Sequence, residues 1–304
     1  MIESGVIIVN KAKDMTSHDC VNIVRRALKI KRVGHTGTLD PMATGVLPIC
    51  IGKATKISDY ISLGDKEYVA DFKLGITTDT LDITGTVTGE KEVNVTADEI
   101  KSAIYSFEGV IMQTPPMYSA KKIKGKKLYE LAREGIEINR EPVEVNIKEI
   151  EILKINLEEN HISIRVLCSK GTYIRSLIDD IGKKLGTYAV MTELVRTKSG
   201  MFSIEDSHII DISEVKKGNI SPVKNIIGAD KIFINYPQII LSYNLEIRFK
   251  NGIYITLNDL GFKKEDVEED SIYRVYSTAG EFMALGVMIE NNGNLVLKVL
   301  KSFY

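Results

Sequence analysis

The chain has 304 residues, 44% of them hydrophobic and 27% charged, an ordinary globular composition with room for one large domain plus an appendage, or for two domains of about 150 residues each. That balance excludes disorder, collagen and coiled-coil arrays as descriptions of the whole. Lys and Arg number 40 against 41 Asp and Glu, a formal charge of −1, so bulk electrostatics favour no partner of either sign and any nucleic-acid site has to be local.

The longest apolar runs, residues 6–9 and 46–51, fall far short of a membrane span of ~20 residues. No secretion leader is read at the start of the chain, and a cytoplasmic location is expected. Cys20, Cys50 and Cys168 are scattered and odd in number, which fits neither a disulfide framework nor a zinc ligand set; they read as reduced core thiols.

Residues 5–10 read as a short buried strand. Thr16 or Ser17 then caps a helix whose apolar positions Val21, Val24 and Leu28 fall at helical spacing. Arg25, Arg26, Lys29, Lys31 and Arg32 follow on its second half and in the next loop, where cations also suit the negative end of the helix dipole. Residues 34–45 hold three glycines, a proline and polar side chains between a helix and an apolar run, a long irregular loop of the kind that carries function. In residues 67–74, Tyr68, Ala70, Phe72 and Leu74 share one face of a half-buried strand. Thr96 and Glu99 form a capping box ahead of Ile100, Ala103, Ile104 and Phe107, which predicts a helix and makes the element order mixed rather than βαβ.

Two prolines break the pattern in residues 113–118, and residues 121–127 place five lysines in seven positions, a basic loop before a short helix through Leu128 and Leu131 that closes at Gly135. Strands are expected at 143–155 and 162–168, then a turn at 169–172. A helix follows with Ile174, Leu177, Ile178, Ile181 and Leu185 on its apolar face, Arg175 on its first turn and Gly186 at its end. Beyond about Pro222, short β-like runs at 239–241, 253–257, 272–275 and 295–300 alternate with Gly, Asn and acidic turns, which predicts a small β-rich second domain. The acidic patch at 265–270 reads as solvated surface.

No GxGxxG, GxxxxGK[ST], HExxH, CxxC or EF-hand spacing is present, and four histidines offer no pair at ligand spacing. No metal and no cofactor are therefore expected, and catalysis falls to carboxylate, Tyr, Arg and Lys. Asp40 is the best candidate nucleophile or base, because Pro41 holds it extended and Gly37 and Gly45 allow close approach of a substrate. On spacing alone it reads better as a turn aspartate. His35 reads as a turn or surface histidine, Tyr68 as core packing and Arg175 as a solvent-facing cation.

The segment 34–48, Gly-His-Thr-Gly-Thr-Leu-Asp-Pro-Met-Ala-Thr-Gly-Val-Leu-Pro, closely resembles the catalytic motif of the TruB-type tRNA pseudouridine-55 synthases. Lys66-Glu67-Tyr68 with residues 74–80, then 115–120, then 168–175, resemble further motifs of that family in its order, so the likeness covers residues 5 to about 200. The tail around 280–287 is similar to the small RNA-binding PUA domain. The resemblance implies an α+β fold, a mixed, mainly antiparallel sheet with a small C-terminal β-rich PUA-like domain. It implies a catalytic domain over 1–225, with an RNA-gripping insertion at about 113–145, and a PUA-like domain over 235–304.

It further implies isomerisation of one uridine in the T-loop of tRNA: the N1–C1′ glycosidic bond breaks and the ribose rejoins at C5. Asp40 would be the essential carboxylate, as nucleophile on sugar or base or as proton acceptor from the ribose. Arg175 would hold Asp40 ionised and oriented. Tyr68 would stack on the extruded uracil and help remove the C5 proton, and Tyr173 would line the same pocket. His35 would refill the space left by the flipped base. Lys121, Lys122 and Lys126 would grip phosphates of the T-arm, and Lys11 is assigned to the substrate side. The family's Lys-Pro, a motif that supports the active-site loop by packing, is here Lys11-Ala12, which loses turn rigidity. The implied protein is a cofactor-free monomer without an obligate protein partner.

Two other readings compete. One is a catalytically idle tRNA-binding chaperone, against which stands the joint presence of Asp40, Tyr68 and Arg175. The other is a glycosidase pairing Asp40 with Asp79 or Asp82, which the lysine-rich insertion disfavours because neutral sugars need no cationic grip.

Overall fold

In the computed structural model, which describes residues 4–123 and 125–304, the chain opens with strand β1 (Gly5–Lys11) and helix α1 (Ser17–Leu28). The start of the chain, where no leader was read, and Lys124 of the lysine run lie outside the described residues. Of the two expected caps it is Thr16 that accepts from the Asp19 N–H, while the Asp19 side chain accepts from the Thr16 N–H, so both halves of a capping box form. Strand β2 (Thr44–Ile51) and strand β3 (Lys66–Leu74) follow. Thr96 and Glu99 form the second capping box ahead of helix α2 (Ala97–Tyr105), which ends before Phe107.

Strand β4 (Gly109–Gln113), the long β5 (Val143–Asn156) and β6 (His161–Cys168) lead into helix α3 (Ile174–Lys184) and strand β7 (Ala189–Ser199). Helix α3 buries Ile174, Leu177, Ile178 and Ile181, the stripe read from its spacing. The main sheet runs in the order Ile210–Asp211, β1, β2, β7, β3, β6, β5, β4. Most neighbours are antiparallel, but β7 runs parallel to β2, and Ile210–Asp211 runs parallel to β1. The α+β class with a mixed, mainly antiparallel sheet therefore stands.

The C-terminal part holds β8 (Gln238–Leu241), helix α4 (Tyr243–Lys250), β9 (Ile272–Ser277), β10 (Phe282–Asn291) and β11 (Asn294–Ser302). They form a half-barrel in the order β8, β9, β10, β11, Ile255–Thr256, with β8 and β9 parallel. Helix α4 had no counterpart in the sequence pattern. The lysine-rich segment read as a basic loop also differs: Lys122–Ile123 pairs with Lys126–Lys127 in a two-residue hairpin, turned at Gly125 with φ of 85°.

β1 and β2 are buried on both faces, and successive side chains enter two different cores with the period of a strand. Ile7, Val9, Leu47, Ile49 and Ile51 face one core with Phe72, Leu177 and Ile181. Val6, Ile8, Val46 and Cys50 face a second core completed by Phe202, Phe233 and Leu285. Cys20, Cys50 and Cys168 are free and buried, as read. Among the described residues no helix is long and apolar enough to cross a membrane.

Candidate active site

The loop between residue 36 and β2 is held from several sides. Ser17, displaced from capping by Thr16, donates to the Leu39 carbonyl at 3.1 Å and accepts from the Leu39 N–H at 2.8 Å. The Thr36 N–H donates to the Pro48 carbonyl at 3.1 Å, and the Asp14 N–H to the Pro41 carbonyl at 2.9 Å. Gly45 lies directly beside β7 at φ of 103°, where a Cβ would strike the Arg196 carbonyl oxygen. A loop this restrained presents Asp40 in a fixed place.

Lys11 faces inward: the loop support implied by its motif is what the structure shows, and the RNA-binding side also assigned to it is not where its ammonium lies. Its side chain is fully buried, and its ammonium donates to the carbonyls of Ala12, Met15 and Pro41 at 2.8, 2.7 and 3.0 Å. It is a strut under the Asp40 loop, next to the residue that follows Asp40. Burial pushes its pKa down to about 8.

Arg175 is 4% exposed and does not face solvent. Its Nε lies 2.8 Å from Asp40 Oδ2 and its Nη2 3.1 Å from Asp40 Oδ1, a two-pronged grip on the carboxylate. The rest of the guanidinium is anchored by the carbonyls of Thr80 and Tyr118, each at 2.8 Å, with Asp82 Oδ2 at 3.7 Å. Asp82 is turned toward its own loop, where it accepts from Thr80 Oγ1, Thr84 Oγ1 and the Thr84 N–H. Asp79 accepts from the Thr86 N–H and from the Tyr118 hydroxyl. Neither carboxylate lines the cavity into which Asp40 opens.

That cavity has a volume of about 510 Å³. Asp40, Tyr68, Tyr173 and Arg175 all line it, as does Lys121 from the hairpin segment. Tyr173 is the N-cap residue of α3, and the fully buried Gln113 clamps its backbone by accepting from its N–H at 2.7 Å and donating to its carbonyl at 3.0 Å. Lys122 and Lys126 are exposed on the hairpin beyond the rim. His35 ends the short strand Val33–His35, one residue before the lining begins at Thr36. Its Nδ1 is buried without a hydrogen-bond partner among the described residues. Burial, then the charge of Arg196, holds the imidazole pKa below its ordinary value.

Asp40 is the sole acid among the lining residues, against Lys66, Lys121, Lys170, Arg175 and Arg196. Such a cavity attracts a polyanion, and its walls supply a carboxylate, two phenols and fixed cations as reacting groups. Reading the sequence missed Gln113 and Arg196. Arg196 had a signal: it stands two residues after Leu194, in the buried phase of an alternating run where a charged side chain is out of place.

Residues 25–174 match the model of the TruB family pseudouridylate synthase N-terminal domain. Residues 175–221 match that of the tRNA pseudouridylate synthase B C-terminal domain. The chain is 48% identical over 284 residues to the tRNA pseudouridine synthase B of Clostridium tetani, covering 93% of this chain and 95% of that one. To the protein of the same name from Clostridium kluyveri it is 43% identical over 299 residues, 98% of this chain and 99% of that one. Among solved structures, a Cbf5-Nop10-Gar1 complex contains a chain with TM-score 0.70 and 28% identity, covering 100% of this chain and 86% of that one. With near full-length identity of this order and a family model matching residues 25–174, the chain belongs to the TruB family of pseudouridylate synthases.

Proposed function

We propose that the chain isomerises uridine-55 in the T-loop of tRNA to pseudouridine, with the flipped nucleotide seated in the cavity between Asp40, Tyr68, Tyr173 and Arg175. The observation that carries this reading is the Asp40 carboxylate, 30% exposed at the cavity and gripped by Arg175 through both oxygens. The substrate class rests on the names of the relatives, each a tRNA pseudouridine synthase B, and is supported by the cationic walls, which suit a phosphodiester chain.

The reaction breaks N1–C1′, forms C5–C1′, releases the C5 proton and returns a proton to N1, so mass is conserved. Asp40 acts on the sugar or base as nucleophile, or takes a proton from the ribose. Arg175 fixes the carboxylate so that no orientation remains to be found during reaction. Tyr68 packs against the uracil and receives the C5 proton. Extruding the nucleotide costs a few kcal/mol of stacking and pairing, and His35, just outside the cavity lining, enters the vacated space.

Lys121, Lys122 and Lys126 contact phosphates of the T-arm. Residues 113–145 act as the gripping insertion of a catalytic domain spanning 1–225, and 235–304 as a PUA-like RNA-binding domain. The protein works in the cytoplasm as a monomer without cofactor or obligate partner.

The test is tritium release from an unmodified tRNA transcript carrying [5-3H]uridine, wild type against Asp40→Asn at matched enzyme and salt. Release approaching one equivalent per tRNA by wild type alone supports the reading. Tight tRNA binding without release in the wild type overturns it in favour of the chaperone.

A further inference from the structure

Arg196 has no part in the chemistry above, yet it is the bulkiest of the fully buried side chains, 1% exposed. Its Nε donates to the Val46 carbonyl at 2.8 Å and its Nη1 to the Thr38 carbonyl at 3.4 Å, which fixes the plane of the guanidinium. Its Nη2 is buried with no acceptor, and no Asp or Glu pairs with it among the described residues. Leaving a buried charged donor unmatched is costly, about 1–3 kcal/mol or more. A fold that tolerates this holds the cation for something other than stability.

The sheet register says where that charge acts. In the antiparallel pair of β7 and β3, Arg196 stands directly opposite Tyr68, so the two side chains are cross-strand neighbours on one face. Tyr68 and Arg196 both line the cavity. The ionisable groups bearing on Tyr68 are Arg196, Cys168 and Asp40. The charge of Arg196 also bears on Lys11, His35 and Lys66, none of them an acid. Burial pushes the Cys168 thiol up to about 11, which keeps it uncharged near neutral pH. Asp40 is already occupied by Arg175. Arg196 is therefore the one unspent charge beside the phenol among these groups. Burial pushes the Tyr68 phenol up, and Arg196 pulls it back down.

Resting on the isomerase reading, we infer that Arg196 is a positioning residue that acts through Tyr68, serving as the counter-charge for a Tyr68 phenolate that accepts the C5 proton. When C5 has bonded to C1′, the phenolate oxygen takes the C5 proton. The C5–H electron pair becomes the C5–C6 double bond, the C6–N1 π pair returns to N1, and N1 takes up a proton. The phenol then loses the transferred hydrogen to solvent, which accounts for release of the label. The Arg196 guanidinium already bears on the Tyr68 hydroxyl at rest, and its Nη2, which has no close acceptor, is the donor that the phenolate oxygen draws in during that step.

The test titrates the Tyr68 resonance in protein labelled with 13Cζ-tyrosine, assigned with Tyr68→Phe, in wild type, Arg196→Gln and Arg196→Lys, alongside tritium release as a function of pH. Arg196→Gln keeps a donor and drops the charge. It is expected to move the Tyr68 midpoint up by about one unit and to shift the acid limb of turnover equally, a loss of about tenfold at pH 7 that recovers at higher pH. Arg196→Lys keeps the charge without the guanidinium fork and should move the midpoint up by less. An unmoved midpoint in Arg196→Gln, or a loss of the same size at every pH, overturns the inference.

Should Arg196→Gln fail to fold, Arg196→Lys with difluorotyrosine at position 68 decides. A deficit of Arg196→Lys that is confined to low pH and restored by the more acidic phenol supports the coupling, and full activity at every pH, or a deficit untouched by fluorination, overturns it. Absence of tritium release from wild type fails the isomerase reading, whereas release indifferent to Arg196 at every pH fails this inference alone.

Discussion

Two buried arginines flank one cavity and are treated in opposite ways. Arg175, on the first turn of α3, has its guanidinium matched by a carboxylate and two carbonyls. Arg196, on β7, meets two carbonyls and no acid, and keeps one donor unmatched. The first arrangement spends the cation on geometry: a two-pronged ion pair fixes where Asp40 points. The second leaves the field of the cation intact for a neighbour that is neutral at rest. Burial alone thus does not tell what a charged residue does. The presence or absence of its counter-ion does.

The sharpest way to break the contrast is to remove the matched arginine. Arg175→Met strands the Asp40 carboxylate and two carbonyls, and losing one partner of a buried pair costs about 3–5 kcal/mol. Urea denaturation should show most of that loss, with turnover abolished; a loss under about 1 kcal/mol would mean that the pair is replaceable by water. Next in size is Lys11→Met, which removes a charged donor from three carbonyls, each such bond worth about 1.5–3 kcal/mol, against the gain from removing a buried charge. We expect a net loss of about 2 kcal/mol and a fall in kcat with KM little changed. A rise in KM alone would return Lys11 to the RNA interface.

Charge reversal of Lys121, Lys122 and Lys126 should do the converse, raising KM and reducing the salt slope of tRNA binding by about 1 per lost phosphate contact. An unchanged slope in filter binding would remove the hairpin from the interface. The smallest effect belongs to His35. Its folded pKa lies below the ordinary 6.5, so between the lowered value and 6.5 the unfolded chain binds a proton that the folded chain does not. Stability then falls as pH drops through that window. Denaturation midpoints of His35→Asn followed from pH 7 to 5 should be flatter than those of wild type; parallel curves would show that the imidazole titrates freely.

Legibility in the sequence followed the range of the interactions. Both capping boxes join residues three apart; the box of Thr96 with Glu99 was read as such, and of the one at Thr16 the cap was read, as Thr16 or Ser17, without its partner Asp19. The alternation of β3 and the stripe of α3 are likewise local periodicities. The position of Asp40 on a specific fifteen-residue motif came from resemblance, since on spacing alone a turn aspartate was the better reading. The loop support by Lys11 came from resemblance as well, since its burial depends on carbonyls of Ala12, Met15 and Pro41, whose convergence is tertiary. Strand β7 drew no attention, and the meaning of Arg196 lies in its register with Tyr68, set by a pairing far apart in the chain. The 122–127 hairpin was hidden because its lysines have poor strand propensity.

Strands β1 and β2 carry a consequence for how the molecule comes apart. Each is clothed on both sides, with Ile7 and Val9 turned to the catalytic core and Val6 and Ile8 to the seam that also contains Leu285 of the half-barrel. Slipping either strand by one residue would exchange the two cores wholesale, so there is no intermediate setting between correct and wrong. Heat or denaturant should therefore dissolve the half-barrel and the Asp40 loop in one calorimetric transition, the shared seam holding the two at a fixed span, as the jaws of a caliper are held.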